Sequence, residues 1–281
     1  MPSGCEMTTF WTVFVVFLNQ TQVTKFKQPL NPQNFMNTPS SIVCLVPSLT
    51  ELLLDLGLGE QLAGRTRFCI HPEDLVQRVP IVGGTKNPRI DKIKQINPDL
   101  IIASKEENRK EDIEELESTS EILLTDIGSI EDALIAVYEI GERCGRAKKA
   151  KKMTDEIRAV LDDIPDEPVQ TAAYFIWREP WMTVGSDTYI HSVLKNWNLE
   201  NVYGTQKRYP KTTLRELKRK NPELILLSSE PYPFKEAHRK EVEEICPASR
   251  VLMVDGEWFS WYGSRMLPSF RKLNAFRKAI S

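Results

Sequence analysis

The stretch Lys-Gln-Ile-Asn-Pro-Asp-Leu-Ile-Ile-Ala-Ser at 94–104 returns as Lys-Arg-Lys-Asn-Pro-Glu-Leu-Ile-Leu-Leu-Ser at 218–228, with six of eleven positions identical. In each copy a basic helix end meets Asn-Pro, which cannot continue the helix. A run of four apolar residues then forms a buried strand ending at a serine. One helix–turn–strand unit written twice, 124 residues apart, predicts two similar α/β lobes. Ligands of such folds sit in clefts at the carboxyl ends of parallel strands. The functional residues are therefore sought in the segments after Ser104 and Ser228.

The chain of 281 residues, 41% hydrophobic and 27% charged, has room for two cores of about 100–150 residues each. A formal net charge of -2 gives no global pull toward nucleic acid or an anionic membrane. Five cysteines, at 5, 44, 69, 144 and 246, are an odd number without a Cys-x-x-Cys pair, which suggests neither a zinc site nor a disulfide framework. Cys44, inside the apolar run 42–46, reads as a small core residue. Three scattered histidines (71, 191 and 238) make no histidine-rich metal site. Residues 10–18 resemble the apolar core of a signal peptide. However, no Lys or Arg precedes Lys25, Glu6 lies upstream, and no small-x-small cleavage site follows. Cys5 looks like a lipid-acylation site but has no apolar stretch before it. Residues 1–39 are read as a leader or irregular segment.

Residues 40–145 form the first expected lobe. In it, 42–46 is a strand, and Ser48 with Glu51 three residues on predicts a capping box opening a helix at 49–56. A short strand at 79–82 ends in Gly83-Gly84, and a helix at 90–96 feeds the first repeat copy. After a strand at 122–125, Ser129 precedes a helix with apolar positions 130, 134, 137 and 140. Residues 146–165 read as one long helix joining the lobes. Its thin apolar stripe is Met153, Ile157, Val160, Leu161 and Ile164, and its Lys-Lys-Ala-Lys-Lys run is a solvated face. The second lobe, 166–281, has expected strands at 172–177, 182–184 and 251–254. Its helices are expected at 188–197, 214–220 and 235–245, with a basic one at the end.

Aromatic residues are the loudest local signal. Trp177 and Trp181 lie in one loop, Trp258 and Trp261 in another, and Tyr232 and Phe234 follow the second repeat strand. Either they pack the edge of their own lobe, or they make a flat wall for a large planar or macrocyclic ligand. Arginines and carboxylates share these loops: Arg65, Arg67, Arg178, Arg208 and Arg265 against Glu106, Glu107, Glu179, Glu230 and Glu257. No Gly-x-Ser-x-Gly, His-Glu-x-x-His or Gly-x-x-x-x-Gly-Lys-Ser/Thr motif occurs, so no catalytic residue is nominated and no enzyme is expected. Gly83-Gly84-Thr85-Lys86 is too short for a phosphate loop. His71, three residues after Phe68, is either a polar surface residue or a group that approaches a ligand's metal. Ser48 offers donors at a helix amino end.

Four segments together carry a resemblance: Ile-Val-Cys-Leu-Val-Pro-Ser-Leu-Thr-Glu at 42–51, Val-Gly-Gly-Thr-Lys-Asn at 82–87, Ile-x-Pro-Asp-Leu-Ile-Ile-Ala at 96–103, and Asp-Gly-Glu-Trp-Phe-Ser-Trp-Tyr at 255–262. Over about residues 40–270 the chain resembles the helical-backbone, iron/vitamin B12-type substrate-binding proteins of ABC importers, the cobalamin-binding members above all. The resemblance implies an α/β fold of the class III periplasmic-binding-protein type, two Rossmann-like lobes joined by a single long backbone helix, and a ligand held between them without chemistry. It implies a monomer with no cofactor of its own, a corrinoid or related metal chelate as ligand, and an ABC importer permease as partner. It also points to the cell envelope. The ligand-binding candidates are Ser48, Phe68, His71, Gly84, Trp177, Trp181, Tyr232, Trp258, Trp261 and Arg265. Relatives carry an acidic residue on the outer face of each lobe that meets arginines of the transporter. The corresponding position is Asp91 in the first lobe but Arg215 in the second, where Glu216 stands beside it, so Asp91 and Glu216 are the docking candidates. Two further departures are the absence of a clear leader and Ser40-Ser41 where relatives carry a basic residue. The alternatives are a ferric siderophore or haem as ligand, for which the arginines would pair with anionic groups, and a cytoplasmic α/β sensor or enzyme on the same fold.

Overall fold

In the computed structural model, which describes residues 38–281, the repeat governs how each sheet begins. All but two residues of the expected leader, 1–39, lie outside the described residues. The chain divides into two units. The first, within 38–162 and 261–268, contains β1 (Ile42–Cys44), α1 (Pro47–Asp55), β2 (Leu62–Arg65), α2 (Glu73–Val76), α3 (Ile90–Ile96), β3 (Leu100–Ser104), α4 (Lys110–Glu117), β4 (Glu121–Thr125), α5 (Ile130–Arg143) and α6 (Ala147–Asp162). Its four strands run parallel in the order β2-β1-β3-β4. The second, 163–260 and 269–281, contains β5 (Gln170–Trp177), β6 (Met182–Thr183), α7 (Tyr189–Asn196), β7 (Leu199–Asn201), α8 (Leu214–Lys220), β8 (Leu224–Ser228), α9 (Glu236–Ile245), β9 (Arg250–Val254), α10 (Glu257–Ser260) and most of the terminal helix α11 (Met266–Ile280). Here β5, β8 and β9 are parallel neighbours. The other edge of β5 pairs first with β7 in parallel and then with β6 antiparallel.

Both Asn-Pro copies end their helices with the asparagine in the left-handed conformation, Asn97 at φ 49° and Asn221 at φ 46°. Asparagine tolerates that region and so stops the helix. The acidic residue after the proline then holds the start of the neighbouring strand. The Asp99 carboxylate accepts from the Ser40 amide (2.7 Å), the Ser40 hydroxyl (2.7 Å) and the Ser41 amide (3.1 Å), just ahead of β1. The Glu223 carboxylate accepts from the Thr171 amide (2.8 Å) and hydroxyl (3.0 Å) at the start of β5. These donors hold both carboxyls below their ordinary values, the Ser40 hydroxyl contributing most at Asp99 and the Thr171 amide most at Glu223.

The strands read as apolar runs because both their faces are covered. Val43, Leu45, Ile101 and Ala103 pack on Val82, Ile93, Ile113 and Leu116 in the first unit. Ala173, Phe175, Ile225 and Leu227 pack on Tyr203, Leu217, Val242 and Val251 in the second. Residues 79–82 do not form the expected strand; Ile81 makes an isolated bridge with Arg65, and Gly83, just beyond, makes one with Pro88. The 146–165 helix is shorter than expected, and its buried stripe is Ala150, Thr154, Ile157 and Val160. It packs closely on α5, because a Cβ at Gly141 would lie 2.2 Å from that of Ala150. Its lysines face solvent, and Lys151 pairs with Asp155 and Lys152 with Glu156. In the second unit the buried Arg277 of α11 donates to the carbonyls of Trp197 and Pro168 and to Gln170 Oε1, tying the terminal helix to the entry of β5.

Asp99→Ala should lower stability by about 1 kcal/mol at neutral pH, the low end for charge-assisted bonds because the carboxylate faces solvent. A carboxyl depressed by folding stabilises above its unfolded pKa, and that stability is lost as pH falls through the folded value. The difference in melting temperature between wild type and variant should thus close as the pH drops below the ordinary aspartate value of 3.8.

Candidate functional site

At the carboxyl end of β1 the chain turns directly into α1. The helix begins at Pro47, whose preset φ suits the first helical position, so Val46 is the N-cap and no side chain caps it. The expected Ser48–Glu51 capping box does not form. Ser48 lies inside the first turn, buried, and its hydroxyl has no hydrogen-bond partner among the described residues. Glu51 instead meets a segment from the far end of the sequence. Arg265 donates from Nε to Glu51 Oε2 at 2.7 Å and from Nη2 to Oε1 at 2.6 Å, a two-pronged pair in which both side chains are largely covered. Burial pushes the Glu51 carboxyl up from its ordinary value, and the hydrogen bonds and charge of Arg265 pull against that.

The segment that carries Arg265, residues 261–268, belongs to the first unit although it is followed and preceded by second-unit sequence. Gly263, at φ +85°, takes a backbone conformation that favours glycine as the chain passes α1, where a Cβ would make a tight 3.2 Å contact with the Ser48 carbonyl oxygen. The preceding Tyr262 is buried, donates to Glu107 Oε1 at 3.0 Å, and also meets the Ser104 side chain. Burial chiefly, with the Glu107 charge, raises its phenol well above the ordinary value. Ser104 closes β3, so the segment crosses the carboxyl end of the first sheet. Trp261 sits against two polar neighbours: Arg265 lies over its ring at 5.3 Å, and His71 meets it edge-on with centroids 5.1 Å apart. Phe68 packs where a Cβ on Gly84 would be 3.3 Å from its ring. Around them Lys86 donates to the Glu106 carbonyl (2.8 Å), and Asn108 donates to the carbonyls of Leu45 and Thr85 and accepts from the Ser104 amide.

The structure thus brings Ser48, Phe68, His71, Gly84, Trp261 and Arg265 into the first unit. The other four candidates lie in the second. Trp177 is buried at the end of β5 and meets Tyr232 edge-on at 5.5 Å. Trp181 stacks on Phe234 and meets Phe175 edge-on, extending the second unit's core. Arg178 lies over Trp181 and is held by Glu179 and Glu241. Trp258 packs on Phe276 beneath Lys272, and its indole nitrogen is buried without an acceptor among the described residues. Of the docking candidates, Asp91 is exposed on the first turn of α3. Glu216 accepts from the Thr212 hydroxyl at 3.1 Å in the first turn of α8, while Arg215 beside it is exposed.

Sequence reasoning missed Glu51 and Tyr262. The signal for Glu51 was present, since a carboxylate within Leu-Thr-Glu-Leu-Leu-Leu, in a helix buried from residue 48 to 54, needs a cationic partner. Among the described residues no group of three or more His, Cys, Asp or Glu is placed to hold a metal ion, the four described cysteines are free and buried, and no helix is long and apolar enough to cross a membrane.

A family model described as periplasmic binding protein matches residues 42–245. The chain belongs to that family. Among curated relatives, an uncharacterized ABC transporter substrate-binding lipoprotein of Bacillus subtilis, YvrC, is 28% identical over 200 residues, covering 67% of this chain and 63% of its own length. The vitamin B12-binding protein of Pectobacterium carotovorum is 20% identical over 251 residues, 86% of this chain and 90% of its own. Among solved structures, the periplasmic vitamin B12 binding protein BtuF of Vibrio cholerae superposes with a TM-score of 0.74 at 16% identity, over 86% of this chain and 97% of its own. The periplasmic heme-binding protein RhuT from Roseiflexus also gives 0.74 at 16% identity, over 86% and 99%. The fold is that of the class III binding proteins, α/β with parallel sheets.

Arg265→Met would leave Glu51 buried without a counter-charge, a change that costs about 2–3 kcal/mol when one partner is partly exposed. With its folded pKa raised further above the unfolded one, the variant should be most stable below the unfolded value and lose stability as pH rises through the folded one. Its melting temperature, relative to wild type, should therefore improve from pH 8 to pH 5.

Proposed function

We propose that the chain is the substrate-binding component of an ABC importer and that its ligand is a corrinoid or a related metal chelate, taken up without chemical change. The observation that carries this reading is the Trp261 group at the carboxyl end of the first sheet, an indole in contact with His71 and Arg265, in the same unit as Phe68 packed on Gly84. Such a surface suits the broad apolar face of a macrocycle. Membership of the periplasmic binding protein family supports a binding role over an enzymatic one. The naming of several relatives as vitamin B12-binding proteins supports a corrinoid before haem or a siderophore. The exposed Asp91 suits a basic loop of a permease.

Dicyanocobinamide, cyanocobalamin, hemin and a ferric siderophore, titrated in turn against the purified protein, test the reading by tryptophan fluorescence and melting temperature. The corrinoids should quench and stabilise at micromolar concentration, and Trp261→Ala should weaken them by about 1–3 kcal/mol, the range for losing a good aromatic anchor. No response to either corrinoid at high micromolar concentration, with hemin or the siderophore bound, would transfer the assignment to those ligands. Docking is read separately. Asp91→Lys should weaken association with the permease, most at low salt where the attraction is least screened; equal association would remove Asp91 from the interface.

A further inference from the structure

Several cations at the carboxyl end of the first sheet have contacts inside the unit. Arg65, at the end of β2, donates to four carbonyl oxygens, those of Val76, Val79, Thr66 and Cys69. Lys86 donates to the Glu106 carbonyl. Lys105, the residue after β3, lies 2.7 Å from Asp126. Arg67 lies over the Phe68 ring. Arg265 touches the Trp261 ring directly, so its charge would be felt by whatever lies against that ring. Glu51 takes the Nε–Nη2 edge of that guanidinium in a two-pronged pair.

We propose that Glu51 is a specificity-determining residue: by occupying Arg265 it cancels the positive charge beside Trp261 and selects against chelates bearing peripheral carboxylates in favour of uncharged, amide-edged ones. This rests on the assignment of the Trp261 group as the ligand surface. With Glu51 on the guanidinium, the charge that would draw a ligand carboxylate to this ring is already neutralised, whereas an amide-edged ligand does not depend on that charge. Selection is thus a property of the pair rather than of Arg265 alone. The segment's Gly263 and Tyr262 anchors hold Arg265 within reach of Glu51, so the neutralised state is the resting one.

The experiment compares dicyanocobinamide with hemin, whose two propionates supply the anionic edge, on wild type, Glu51→Gln and the double variant Glu51→Gln, Arg265→Gln, each checked for intact fold by circular dichroism. The ratio of hemin affinity to cobinamide affinity should rise at least tenfold in Glu51→Gln, where Arg265 is released, and return to within threefold of wild type in the double variant. A ratio in folded Glu51→Gln within threefold of wild type, with cobinamide still bound by wild type, overturns the role of Glu51 and leaves the corrinoid reading standing. Wild type that binds hemin but not cobinamide overturns both. Should Glu51→Gln fail to fold, the salt dependence of hemin binding to wild type decides: a cancelled charge predicts affinity that is flat from low to high salt, whereas a steep loss would show Arg265 acting on the propionates and overturn the proposal.

Discussion

A carboxylate at the entry of each sheet sets the geometry from which the rest follows. Asp99 stands one residue before β3 and receives the amides of Ser40 and Ser41, just before β1, while the Ser41 carbonyl accepts from the Asp99 and Leu100 amides. Two neighbouring strands are therefore clamped at their starts, in the register Ile42 to Leu100. A slip by one residue would invert every side chain of a strand. With the starts fixed and the strands of similar length, the first turn of α1 and the Ser104–Asn108 turn emerge at the same end. Glu223 makes the same clamp on Thr171 in the second unit. There Ser228 closes β8 with bonds to Tyr174 and Glu230.

The Glu51–Arg265 pair uses this end for a different purpose. A carboxylate in a helix whose residues are almost all buried is costly unless a cation reaches it. The reach comes from a position 214 residues away in sequence. Once the arginine is there, Trp261 and Tyr262 have little freedom: one lies beneath the guanidinium and against His71, the other points its hydroxyl to Glu107. Local bonds thus assemble an aromatic surface in which the guanidinium and the phenol are both engaged with carboxylates of the unit.

Much of the fold was legible because it rests on short-range rules. The apolar strands, the Asn-Pro stops, and the Ser129 cap with its periodic helix appear where their residues require them. Two readings failed for stated physical reasons. Pro47 moved the helix start ahead of Ser48 and left Glu51 to find a partner elsewhere, and residues 79–82 bridge rather than pair as a strand because Pro80 and the Gly83-Gly84 turn interrupt the ladder. The candidate site was half legible. The tryptophans announced themselves by lying in loops, but composition cannot tell one that extends a core, as Trp181 does on Phe234, from one held at a strand end, as Trp261 is. That distinction depends on which unit each residue joins, and the chain crosses between units after Ser260, a step no local pattern marks.

That crossing gives the protein an order of assembly. The first unit's sheet and helices are complete in sequence by residue 162, yet its covering segment is 261–268. Domains generally fold as they emerge from the ribosome, amino-terminal part first. During the synthesis of about a hundred further residues, Glu51 waits without Arg265 and the end of the sheet lacks Tyr262. The earlier part of the first unit is thus finished by a segment made about a hundred residues later, and the surface assigned to the ligand exists only once that segment has emerged.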